Sequence, residues 1–199
     1  MARLKPLAPE ELGELEDVFA VSRQRTGGYV LNAYATLAYH PAILRGVSGM
    51  ARAILSPGAV AMELKALVGY VSSNAAGCRF CQAHQAQLAT KLGVSIEKLK
   101  AAFTCETSPL FTDAERAALR IAMHGSITPN AVTDGEFDAL KKHFNPQQIV
   151  EIVGVIALFG FMNRWNDTLK TDLESTPMAF VQEFFPELAP AQPGVAGRA

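Results

Sequence analysis

The sequence predicts an all-α protein folded as a single domain. Three observations carry that expectation. Apolar residues recur at helical spacing along most of the chain, and no run alternates polar and apolar residues as a half-buried strand requires. Helix-start signals also recur, among them Thr112-Asp113-Ala114-Glu115 and Thr133-Asp134-Gly135-Glu136. In each, the threonine can cap a helix while the glutamate three residues on bonds back to it. The chain of 199 residues is long enough to bury a sizeable core. No linker, low-complexity interior or sequence repeat divides it, so one domain is expected over 1–190. The Pro- and Gly-containing tail over 191–199 is expected to be disordered.

The elements follow in order. Pro9-Glu10-Glu11-Leu12 opens a short first helix with acidic residues where the dipole favours them, and Gly27-Gly28 breaks the chain. Leu31 to Tyr39 reads as a helix stopped at His40-Pro41, with Pro41 suited to the first position of the next. Ser56-Pro57-Gly58 is a turn before a helix over 59–74. Ala76-Gly77 then breaks the chain so that Cys78 falls at or near the start of a helix running to Leu92. Gly93 ends it, and Ser95-Ile96-Glu97-Lys98 begins another. The two capping boxes start helices through Leu119 and through Phe137 to His143, Asn145-Pro146 opens a long helix reaching Leu169, and Pro177 precedes a last short one.

Composition narrows the function. Hydrophobic residues make up 49% and charged residues 19%, with a formal net charge of −1 and no Lys/Arg cluster. A nucleic-acid or membrane-surface partner therefore has no electrostatic footprint. The strongest apolar stretch, Ile149 to Met162, holds about 14 residues and includes Glu151, short of the roughly 20 needed to span a bilayer. Three cysteines do not make a secreted disulfide scaffold, and the first residues lack the apolar run of a signal peptide. A cytoplasmic, reducing setting is the expectation. The aliphatic helices exceed what one monomer covers, which predicts burial between subunits.

The chemistry concentrates in Cys78-Arg79-Phe80-Cys81-Gln82-Ala83-His84. Two thiols three residues apart can close a disulfide within a helical turn, and His84 lies one turn beyond Cys81 on the same face. The thiolate is the reactive form, and a position in a helix's first turn lowers a thiol's pKa. Cys78, preceded by Gly77, has that placement. Arg79 adds positive charge, Phe80 shields the pair from water, and His84 can take or deliver a proton at Cys81. Other readings compete. The thiols could be inert packing. Cys78, Cys81 and His84 could hold zinc, which would need Cys105 or another histidine as a fourth ligand. A structural disulfide is disfavoured, since so short a loop gains little entropy.

The run Val71-Ser72-Ser73-Asn74-Ala75-Ala76-Gly77 leading into this motif resembles the alkylhydroperoxidase AhpD-like, carboxymuconolactone decarboxylase family. Phe111 to Leu119 and Phe159 to Leu169 are similar to that family's middle and late helices, and the resemblance extends over residues 55–173. It implies an AhpD-like all-α fold assembled as a homo-oligomer, a trimer or hexamer. It also implies a thiol peroxidase mechanism, for which the cysteine pair argues against the decarboxylase branch. Cys81 would attack the hydroperoxide oxygen to give a sulfenic acid, Cys78 would condense with it to a disulfide, and an external dithiol reductant would reopen that bond. This order opposes the helix-terminus argument favouring Cys78 as thiolate; the imidazole decides for Cys81. No metal, haem or flavin is required.

Two departures stand out. The family's histidine lies four residues after the second cysteine, where this chain has Gln85, so His84 is displaced by about 100° around the helix. The family's relay carboxylate falls at Ala66, and Glu63, one turn earlier, is the candidate substitute to orient His84. Two alternatives stay open: a non-catalytic or oxidation-sensing helical oligomer, and a lactone decarboxylase. Cys105, His40, His124 and His143 read as structural, as does the polar cluster Asn163, Arg164, Asn166 and Asp167, which could instead line the pocket. Tyr70 could border the pocket or pack in the core.

Overall fold

The computed structural model describes residues 2–189; the tail over 191–199 lies outside them. All regular structure among the described residues is helical. The helices are α1 (Glu16–Thr26), α2 (Asn32–Leu37), α3 (Pro41–Ile54), α4 (Met62–Ala75), α5 (Arg79–Lys91), α6 (Ile96–Lys100), α7 (Asp113–Gly125), α8 (Asp134–Lys141), α9 (Pro146–Leu169) and α10 (Ser175–Phe184). These helices pack as one all-helical domain.

The predicted starts are built as the sequence implies. The Glu115 N–H donates to Thr112 Oγ1 at 3.2 Å while Glu115 Oε2 accepts from the Thr112 N–H at 2.9 Å. Thr133 and Glu136 repeat the exchange at α8, and Asn145 with Gln148 makes a third box at α9. Three elements differ. The first helix is two separate 3-10 turns, Pro9–Glu11 and Gly13–Leu15, before α1; Gly13 interrupts the segment and Leu12 and Leu15 turn inward. The helix expected from Ala59 starts at Met62, because the Ala59 and Val60 N–H groups donate to the Glu151 carboxylate instead of a helix turn. Pro177 lies inside the first turn of α10, where its missing N–H costs nothing.

At the centre, α4 packs against α5, α7 and α9, forming the main core with Leu67, Val71, Leu119, Ile152 and Phe159. Gly69 permits that approach: a Cβ there would lie 2.7 Å from the Phe159 ring and 3.0 Å from Gln85 Oε1. A smaller core of Leu12, Leu15, Phe19, Leu37, Leu44 and Val47 joins α1, α2 and α3, and meets α9 at Met162 and Trp165. An ion pair ties the turn between α3 and α4 to α9. Lys65 Nζ reaches Glu151 Oε2 at 2.8 Å and donates to the Ile54 and Ser56 carbonyls at 2.9 Å each.

Helix α9 corrects the expectation drawn from its apolar run. It is 24 residues long and by length and composition could cross a bilayer, because the helix continues past Met162 to Leu169. One side of it packs against α3, α4, α5, α7 and α8.

Candidate active site at the cysteine pair

Gly77 takes a left-handed φ of +75°, which lets the chain turn sharply out of α4. The Cys78 N–H then donates to the Ser73 carbonyl at 2.9 Å, and Cys78 becomes the N-cap of α5 with Cys81 in its first turn. Both are thiols and both are buried, at 1% and 4% exposure. Their environments divide them. A hydrogen bond with the Cys81 thiol lowers the Cys78 pKa, aided by the free N–H groups of Cys81 and Phe80 against the effect of burial. Burial pushes the Cys81 thiol well up, and the negative charge favoured at Cys78 adds to this. Asn166 Nδ2 offsets part of it by donating to Cys81 Sγ at 3.4 Å.

His84 is held at both ring nitrogens. Nδ1 lies 2.8 Å from the Phe80 carbonyl oxygen, which can only accept, so Nδ1 carries a proton. Nε2 lies 2.8 Å from Glu174 Oε2, within ion-pair distance but outside hydrogen-bond alignment. Glu174 is itself fixed, its Oε1 accepting the Asn32 N–H at 2.5 Å from the start of α2. The carboxylate beside the imidazole is thus Glu174, at the N-cap of α10. Glu63, proposed from the sequence for that role, is exposed in the first turn of α4.

Cys81, His84, Gln85 and Asn166 share the wall of a cavity of about 150 Å³, and Cys78 lies behind that wall. The cavity occupies the seam between the two cores, with α1, α2 and α3 on one side and α5 and α9 on the other. Leu88, Leu158, Phe159 and Met162 make much of its surface apolar. The tyrosines Tyr29 and Tyr34 also line it. Burial raises both phenols, Tyr29 to about 12, so each is uncharged near neutral pH.

Sequence reasoning weighed Asn166 and leaned towards structure, yet it contacts Cys81. It missed Glu174, Asn32 and the tyrosines, because no local pattern ties them to a motif far along the chain. Cys105 is buried in the main core, away from the cavity lining. Tyr70 packs against Phe103 and Phe185, also outside the lining. His40 is an N-cap that makes no side-chain capping bond, His124 Nδ1 meets Glu136 Oε1 at 2.7 Å, and His143 is exposed. Among the described residues no three His, Cys, Asp or Glu side chains converge as a metal-ligand set.

Fold and site together define an all-helical protein whose buried dithiol opens through one sulfur onto a small apolar cavity. The comparisons agree. The family model for the carboxymuconolactone decarboxylase family matches residues 41–123. The debrominase Bmp8, solved as a cysteine-to-alanine form in complex with 2,3,4-tribromopyrrole, superposes with a TM-score of 0.84 at 32% identity, covering 90% of this chain and 96% of that one. Its apo form gives 0.83 at 33% identity over the same shares. The AhpD-core, peroxidase-related protein of Ralstonia eutropha JMP134 shares the fold, with a TM-score of 0.77 at 19% identity over 88% and 94% of the two chains. YnjA of Escherichia coli strain K12, an uncharacterized protein, is 34% identical over 92 residues, 46% of this chain and 50% of YnjA's length. The chain belongs to the carboxymuconolactone decarboxylase family, the AhpD-like proteins.

Proposed function

We propose that this protein is a thiol-dependent reductase whose cysteine pair delivers two electrons to a small electrophile bound in the cavity. The observation that carries the reading is the division of the thiols: Cys81 faces the cavity, and Cys78 sits behind it within hydrogen-bond reach. Negative charge rests most easily on Cys78. Passing the Cys81 proton to Cys78 places the thiolate where substrate can meet it. With a hydroperoxide, the Cys81 sulfur attacks the peroxide oxygen, the O–O bond breaks, and an alkoxide leaves and takes a proton. The Cys78 thiol then displaces water from the sulfenic acid to form the disulfide. An external dithiol reopens it by exchange. His84, on the cavity wall with Cys81, is the group suited to protonate the leaving oxygen.

A second substrate class is favoured by the likeness to Bmp8 over 90% of the chain. An aryl halide and two thiols balance to the reduced arene, a disulfide and hydrogen halide, so the same pair supports reductive dehalogenation.

The test counts free thiols by mass spectrometry after exposure to cumene hydroperoxide, or to a brominated pyrrole with released bromide measured. Wild type should lose two thiols per chain with one of these substrates. Cys78→Ser should accumulate an oxidised or arylated Cys81, and Cys81→Ser should leave Cys78 unmodified. Thiols that survive an excess of both substrates would refute the reductase reading and favour a non-catalytic helical protein.

A further inference from the structure

The cavity carries information about its ligand that the redox reading does not use. Three of its lining residues are exposed, Arg25, Arg52 and Lys91, and all three are cations. They mark the mouth, and no aspartate or glutamate joins them in the lining. None of the three makes an ion pair among the described residues. Arg25 Nη2 and Lys91 Nζ donate to the Leu55 and Thr26 carbonyls at 3.4 and 3.2 Å. The nearby carboxylate of Glu174 is engaged by His84 and the Asn32 N–H. The mouth is therefore a concentration of positive charge over an apolar interior, which draws anions in.

The interior behind the mouth is apolar, walled by Leu88, Leu158, Phe159 and Met162. A volume of about 150 Å³ matches that of an apolar cavity known to hold a benzene ring.

We infer that the cavity takes a monocyclic aromatic acid: one ring in the apolar interior, with an anionic group held at the mouth by Arg25, Arg52 and Lys91. The inference rests on reading Cys81 as the reacting sulfur in this cavity and adds the class of compound presented to it.

Isothermal titration of the reduced protein with 4-hydroxybenzoate, 4-hydroxybenzamide and benzoate tests it. The hydroxybenzoate should bind at least about tenfold more tightly than the uncharged amide, and the preference should shrink as salt is raised. Benzoate, which keeps the ring and the charge, should also bind more tightly than the amide. The combined variant Arg25→Gln, Arg52→Gln, Lys91→Gln, altered only at exposed positions, should bind acid and amide alike. Equal binding of acid and amide by wild type, or no binding of either, overturns the inference. Hydroperoxide- or aryl halide-driven thiol loss is measured in parallel. Intact thiol loss without acid binding removes the ligand class alone, whereas acid binding to a protein with inert thiols removes the redox reading and leaves the cavity's selectivity standing.

Discussion

The two thiols differ more than their shared motif suggests. Cys78 meets the free N–H groups of the first turn of α5, whereas Cys81, at the cavity wall, has Asn166 as the donor that favours its thiolate, while its partner thiol works against it. The helix-terminus argument for Cys78 was available from Gly77-Cys78 alone, because an N-cap is a local feature. That Cys81 is the sulfur facing a cavity was not, since α1, α2, α3 and α9 supply the opposite walls. His84 was legible for the same local reason, and its carboxylate was not: the Glu63 assignment extrapolated along one helix face, while the fold brings Glu174 in from beyond α9. These contacts set a titration. The ultraviolet absorbance of the thiolate in wild type should rise with a midpoint below the ordinary thiol value of 9.0, assigned to Cys78. Cys81→Ala removes the leading cause of that lowering, so the Cys78 midpoint should move up. Asn166→Ala should instead slow reaction at Cys81 while leaving the Cys78 midpoint nearly in place. A Cys78 midpoint unmoved by Cys81→Ala would show that the helix terminus alone sets it.

At the scale of elements, the capping boxes were readable because each closes within four residues. The late start of α4 was not, because its cause is Glu151 on α9, which takes the N–H groups of Ala59 and Val60 and pairs with Lys65. This pair ties the turn between α3 and α4 to α9, and both partners are held by further hydrogen bonds, the condition under which a buried ion pair is well satisfied. Lys65→Met strands the Glu151 carboxylate and should cost about 3–5 kcal/mol in urea unfolding. The sign with pH follows from the direction of the shift. Lys65 holds the Glu151 carboxyl below its ordinary value of 4.5, so its contribution is fully present above that value and is lost as pH falls through the folded-state value. The gap in stability between wild type and Lys65→Met should therefore narrow on acidification below the ordinary value. A gap independent of pH would assign the cost to packing rather than to the pair.

For the whole molecule, α9 is apolar on every side, a pattern that belongs to helices covered all round. Its inner side is covered: Leu158, Phe159, Met162 and Asn166 floor the cavity and join the main core to α1, α2 and α3. Its outer side is bare, with Val150 71%, Val153 41% and Phe161 37% exposed. Val153, Ala157, Gly160, Phe161, Ile127 and Trp165 line a groove of about 990 Å³ there. Assembly with a second copy, expected from the surplus of apolar surface, would use this face, since a second copy would bury the side that the single chain leaves to water. Sequence alone could announce the surplus of apolar surface but not its location, because a helix without amphipathicity gives no face to point at. Val150→Glu with Phe161→Glu places two charges on the outer side and none near the cavity. By sedimentation, wild type should run as an oligomer and the double variant as a smaller species. Its thiol loss per chain should be unchanged, because neither Val150 nor Phe161 lines the cavity. A wild type that sediments as a monomer would leave the α9 face open to water and refute assembly through it. Loss of thiol chemistry in a folded monomeric variant would instead mean that the neighbouring copy completes the site.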